Sequence, residues 1–167
     1  DDLKGVFTQF PHPNHPSLES LFRRCYEIYE IDPTKAPTIF FIQEGDHQVE
    51  RSLVIEYPMK IIGAGRDRTF IHGGGFFITG TKEEGKRVDM QGMTIKGASG
   101  HGLSAFDGLS FLCKDMTFTQ CGRHGVVAEI TKGRLINCVI TQCGQCGILC
   151  CGNALIELEG DQTKVDG

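Results

Sequence analysis

Three short segments carry the side chains that could do chemistry. His101 lies between Gly100 and Gly102, and Arg123-His124 lies between Gly122 and Gly125. Cys121 and His124 are three residues apart, as are Cys143 and Cys146, and the second pair follows the first by 22 residues. Imidazoles exchange protons near neutral pH, so His101 and His124, with Arg123, are the candidate catalytic groups if the chain is an enzyme. Asp89 and Asp107 are the acids expected near them. The Cys/His spacing also suggests a zinc site, with Cys121, His124, Cys143 and Cys146 as candidate ligands.

Both possibilities depend on the elements that hold these residues, and those elements repeat. Gly92 to Gly102, Asp115 to Gly125 and Asn137 to Gly147 align without gaps, at offsets of 23 and 22 residues. A fixed period of this length marks a solenoid. Apolar residues alternate within each unit: Met93, Met116 and Cys138 share a column, and so do Ile95, Phe118 and Ile140. Beyond the glycine, Leu103, Val126 and Ile148 align, as do Ala105, Ala128 and Cys150. Period-two alternation means short strands with one buried face, stacked about 4.8 Å apart. Glycines 102, 125 and 147 mark a bend, where tolerance of positive φ is expected to matter.

This register weakens the zinc reading. Cys121 and Cys143 should point inward, while His124 and Cys146 lie beyond the bend, so four ligands do not converge. His124 occupies the position of His101 one rung on, and Cys146 the next, which gives the histidines a structural role without chemistry. Thr94, Thr117 and Val139, with Lys96, Thr119 and Thr141, are expected to face outward. Val139 and Lys96 break the regularity that an ice-binding threonine face needs.

The run Asn137-Cys-Val-Ile-Thr-Gln-Cys, followed by Gly147-Ile-Leu-Cys, resembles the repeat of the pectin-lyase-like superfamily. It is most similar to repeats of carbohydrate-active proteins and of some F-box proteins. The resemblance spans residues 38–167 and implies an all-β, right-handed parallel β-helix. Gly100-His101-Gly102 resembles the Gly-His-Gly of polygalacturonases, but the aspartate motifs that accompany it there are missing. Gly45 to Glu50 is only loosely similar to an esterase motif, and no rung carries the stacked acids that a calcium-dependent lyase would need.

Residues 1–37 read as a leader and a capping helix, and 38–167 as about six rungs, roughly 28 Å of rod. Pro11, Pro13 and Pro16 make residues 1–16 an irregular lead. Leu18, Leu21, Phe22, Cys25, Ile28 and Tyr29 give Ser17 to Ile31 one apolar helical face, with Ser17 as cap and Asp32-Pro33 as stop. That face is expected to cover the first rung. Glu44-Gly45-Asp46 reads as a turn. Gly63-Ala-Gly65 is neither a dinucleotide nor a phosphate loop, because Arg68 stands at the third glycine position and no Gly-Lys-Ser/Thr follows. Thr81 to Arg87 is a charged excursion from the stack.

The sequence has 167 residues and a net charge of −4, which argues against a nucleic-acid partner. No apolar run reaches the ~18 residues of a membrane span. Its eight cysteines read as reduced thiols in a cytoplasmic protein, although stacking of Cys121 on Cys143 leaves a secreted origin open. No signal-peptide pattern opens the sequence. No cofactor is expected. The C-terminal edge lacks a cap, so a longer parent chain or pairing of two copies is expected there. The main functional expectation is a non-catalytic module that recognises a protein or glycan through its sheet faces. The alternative is a polysaccharide lyase or glycoside hydrolase.

Overall fold

The computed structural model describes Leu3 and residues 5–166. Asp1, Asp2 and Lys4 of the expected leader, and Gly167, lie outside the described residues. Strand β1 (Phe7–Phe10) precedes helix α1 (Leu18–Ile31) and a 3-10 turn (Pro33–Lys35). The stack then runs rung by rung. The first rung is β2 (Ile39–Ile42), β3 (Gly45–Gln48) and β4 (Leu53–Ile55); the second is β5 (Lys60–Gly63), β6 (Thr69–His72) and β7 (Phe76–Ile78). The third is β8 (Arg87–Gln91), β9 (Thr94–Lys96) and β10 (Leu103–Phe106); the fourth is β11 (Ser110–Lys114), β12 (Thr117–Thr119) and β13 (Val126–Glu129). The fifth is β14 (Lys132–Ile136), β15 (Val139–Thr141) and β16 (Ile148–Cys151), and the sixth holds β17 (Leu155–Glu159) and β18 (Lys164–Asp166).

Every pairing between these strands is parallel, and they form sheets of seven, six and five strands. The coil is a right-handed, six-rung parallel β-helix with α1 on its first rung. Strand register follows the sequence repeat: Leu103 pairs with Val126 and Val126 with Ile148, while Thr94 pairs with Thr117 and Thr117 with Val139.

Inward columns make the core. Phe40, Ile61, Met90, Cys113 and Leu135 stack on the seven-stranded sheet, and Ile71, Ile95, Phe118 and Ile140 on the six-stranded sheet. All nine are buried, and each buried Ile, Leu, Met or Phe among them stabilises the fold by about 1.5–3 kcal/mol. Helix α1 closes the first rung. Phe22 stacks on Phe40 at 4.9 Å and meets Phe76 edge-on at 6.4 Å. Ser17 accepts from the Ser20 backbone N–H at 3.1 Å, and Ser20 Oγ accepts from that of Ser17 at 3.3 Å, a reciprocal cap. At the other end Leu158, Val165 and Cys150 continue the inward columns but are exposed.

Four expectations change. The lead is not irregular throughout, because β1 pairs in register with β2 and extends the seven-stranded sheet. Its Phe-Thr-Gln-Phe sequence suits a strand, and the prolines begin only at Pro11. Glu44-Gly45-Asp46 is not simply a turn, since β3 starts at Gly45. His47 turns inward there, its ring edge-on to Phe10 at 5.5 Å and its Nε2 2.8 Å from the Gln43 carbonyl. Thr94 is buried rather than outward: its hydroxyl donates to the Arg66 carbonyl at 2.7 Å. The Arg66 side chain then reaches across two further rungs, to Asp115 at 3.6 Å and to the Asn137 carbonyl.

The fourth change concerns the bend glycines. None of 102, 125 and 147 has positive φ. Crowding explains two of them. A Cβ on Gly102 would lie 2.7 Å from the Gly125 carbonyl oxygen, and one on Gly125 would lie 2.4 Å from Ile140 Cγ2. The left-handed conformation occurs at other bend positions: at Gly92, Asp115 and Asn137 between the seven- and six-stranded sheets, at Gly97, Gln120 and Gln142 where the long bends begin, and at Asp107 and Ile130 after β10 and β13. Glycine and short polar residues tolerate it best.

Candidate functional site

His101 and His124 lie in the long bends between the six- and five-stranded sheets, one rung apart. Their rings are parallel, with centroids 5.2 Å apart and an interplanar angle of 8°. His101 Nδ1 accepts the His124 backbone N–H at 3.2 Å, and His124 Nδ1 accepts that of Cys146 at 3.0 Å. The carbonyls run back the other way, from Gly102 N–H to His124 and from Gly125 N–H to Cys146. Each imidazole therefore holds the backbone of the next rung. An Nδ1 that accepts carries no proton, so the neutral rings hold their proton on Nε2. Neither Nε2 then offers the lone pair that a general base or metal ligand needs. Burial first, then His124 and the Arg123 cation, hold the His101 pKa below the ordinary imidazole value. Arg123 is exposed on the same bend.

The acids expected beside them lie elsewhere. Asp107 follows β10 at its far end, six residues and up to about 20 Å of strand from His101. Asp89 is on β8 in the seven-stranded sheet, where it pairs with Arg87 at 2.6 Å. His101 and Asp107 thus stand at opposite ends of β10.

The cysteines divide by rung position. Cys121 is buried, Cys143 half-buried and Cys146 exposed. None of the eight cysteines is joined in a disulfide. Burial, then the neighbouring Cys143, pushes the Cys121 thiol up to about 12; burial pushes Cys138 up to about 11 and raises Cys113 as well. These buried thiols are protonated and behave as small apolar side chains. Among the described residues, no group of three or more His, Cys, Asp or Glu is placed to hold a metal ion.

Concavity is found elsewhere, on the outer side of the seven-stranded sheet. A cleft of ≈ 1000 Å³ opens between the end of α1 and the charged excursion, lined by Tyr29, Tyr57, Lys60, Glu83, Arg87 and Asp89 among others. Tyr29 stacks on buried Tyr57 at 4.4 Å, and Tyr57 anchors the wall by donating to the Pro37 carbonyl at 2.7 Å. Burial raises the Tyr57 pKa, so the phenol stays protonated as that donor. Two smaller clefts, of ≈ 380 Å³ and ≈ 180 Å³, continue along the rungs past Ser110 and Lys132 to Arg134 and Glu157. Arg87 borders all three. The outward register orders the charges: Lys60 lies beside Asp89, Asp89 beside Leu112, Leu112 beside Arg134 and Arg134 beside Glu157. The result is a track about 19 Å long from the second rung to the sixth, at one rung per ~4.8 Å.

Two solved structures match the chain, and the likeness of architecture rests on the first. One is the catalytic domain of a GH87 alpha-1,3-glucanase in complex with nigerose, 12% identical, matched over 90% of this chain and 32% of that one with a TM-score of 0.50. The other is a substituted form of such a domain in complex with tetrasaccharides, 11% identical over the same shares, with a TM-score of 0.41. The fold shared with the first of them is the right-handed parallel β-helix. The chain spans about a third of the length of the glucanase domains, so the likeness concerns the fold they share. No family model matches the sequence, and no curated protein matches it. Among the described residues, no helix of this β-helix protein is long and apolar enough to cross a membrane.

Of the groups marked by sequence, the fold stacks His101 on His124 with Arg123 beside them, and it puts Asp89 in the cleft. Tyr29, Lys60, Arg87 and Arg134 carried no motif. The signal that could have found them was the excursion at 81–87, since an insertion in a regular stack makes a wall.

Proposed function

We propose that this domain is carbohydrate-active and takes a glycan chain in the cleft between α1 and the charged excursion. One observation carries the reading. Three clefts follow one another along the outer face of the seven-stranded sheet, joined by Arg87 and opened by an aromatic wall. A polymer needs an extended site with successive polar contacts, and stacked rungs supply one contact row per ~4.8 Å. The likeness to a glucanase catalytic domain supports a glycan over a protein partner at this surface.

The presence of Glu83 and Asp89 in one cleft favours a second reading, hydrolysis. Glycosidases work with a pair of carboxylates, one to protonate the leaving oxygen and one to activate water or attack. A glycan array followed by calorimetry and reducing-end assays tests both. Lys60→Ala with Arg87→Ala should weaken glycan binding at least tenfold while the fold persists. Unchanged affinity would remove the cleft from the proposal. Asp89→Asn should keep binding and abolish any turnover; turnover that survives it would end the hydrolytic reading.

A further inference from the structure

The long bends hold a second set of polar groups that the cleft does not use. His101 and His124 each spend Nδ1 on a backbone N–H of the next rung. Their Nε2 atoms make no hydrogen bond within the protein and are not buried. Tautomer logic makes each of them an N–H donor. Arg123, between them in sequence, is exposed, and among the described residues its guanidinium has neither hydrogen bond nor ion pair. The three stacked bends, 97–102, 120–125 and 142–147, contain no aspartate or glutamate. A chain of net charge −4 thus presents a ridge without carboxylates, whose two aligned imidazoles and guanidinium offer only donors.

The complement of such a ridge is a group with several acceptors and no proton to give. We propose that His101, His124 and Arg123 bind an oxyanion of the sulfate or phosphate type, free or as an ester on a sugar. Parallel rings at 5.2 Å present their donors in the same direction one rung apart, so different oxygens of one anion can be engaged. The guanidinium adds the charge and a planar fork of donors. The same tautomer that removes these histidines as bases or metal ligands is what makes them donors. Backbone N–H groups hold the rings in place, so little side-chain freedom is lost on binding.

The test uses the ¹⁵N-labelled chain and long-range ¹H–¹⁵N spectra of the imidazoles. In the free protein both rings should carry the proton on Nε2; a proton on Nδ1 of either ring overturns the proposal. Sodium sulfate should then give saturable shifts at both ring Nε2 atoms that sodium chloride at equal ionic strength does not. Arg123→Gln, at an exposed and unpaired position, should weaken sulfate binding about ten- to a hundredfold, the range for a hydrogen bond to a charged group. Equal shifts with chloride, or an Arg123→Gln variant that binds as wild type does, overturn it. A sulfated oligosaccharide separates the sources. Tighter binding than inorganic sulfate identifies a sugar ester, and equal binding identifies the free ion. The Lys60→Ala/Arg87→Ala variant should keep the sulfate shifts, so the ridge stands or falls independently of the cleft.

Discussion

The long bends and the cleft lie on one rod and are made by opposite rules. In the bends the same positions recur, and backbone N–H groups are answered by an adjacent rung: Gly102 by His124, His124 by His101, Gly122 by Ala98, Gly144 by Cys121. In the cleft nothing recurs. Tyr29 comes from a helix, Lys60 and Asp89 from two strands, and Glu83 and Lys86 from an excursion that the other rungs lack. Repetition answers the question of how the backbone is satisfied. Departure from repetition makes concave space. A solenoid's concave site is therefore better sought where the period fails than where it is clearest.

The contrast can be broken by perturbing each region in turn. The largest effect belongs to the repeating interior. Phe118 is fully buried between Ile95 and Ile140, and Phe118→Ala should cost about 3–5 kcal/mol by lost burial and a residual cavity, read from urea denaturation. A loss under about 1 kcal/mol would mean that the columns are loosely packed.

The bends should be intermediate. His101→Ala removes the acceptor for the His124 N–H and should cost about 1 kcal/mol. They should also be acid-sensitive, with a definite sign. The folded-state His101 pKa is lowered by burial, His124 and Arg123, so below about pH 6.5 the unfolded chain binds more protons there than the folded one. That stability is complete above the unfolded value and is lost as pH falls toward the folded one. Its share of the slope should vanish in His101→Asn; a slope that persists unchanged would place the sensitivity elsewhere.

The smallest stability effect belongs to the excursion. Residues 81–87 are all exposed, so replacing 82–86 with a short Gly/Ser link should move the melting temperature by only a few degrees. Glycan affinity should fall with the lost wall. A large drop in stability would make the excursion part of the core.

The register was readable before any coordinates because stacked strands convert sequence offset into spatial neighbourhood. Ile95, Phe118 and Ile140 align on the page and touch in the core. Helix α1 was equally plain, from Leu18, Leu21, Phe22, Cys25 and Ile28 on one face. Strand β1 was hidden because it stands outside the period and its partner lies 32 residues away. The bend glycines were placed rightly and explained wrongly. Crowding from the next rung is a tertiary fact, and local sequence does not distinguish it from a left-handed backbone. The cleft was hidden for the same reason: Tyr29, Lys60 and Arg87 share no spacing, and only the coil brings them together.

One consequence of the equal rungs is mechanical. Each rung holds its neighbours by the same short parallel ladders, and each consumes 22 or 23 residues between Leu103, Val126 and Ile148. Stretched between two beads, the rod should come apart like a spool rather than shatter. Each released coil would add about 75–80 Å of slack, the extended length of that many residues. The Arg66 strap, tied to Asp115 and Asn137, would act as a knot that makes one segment let go together.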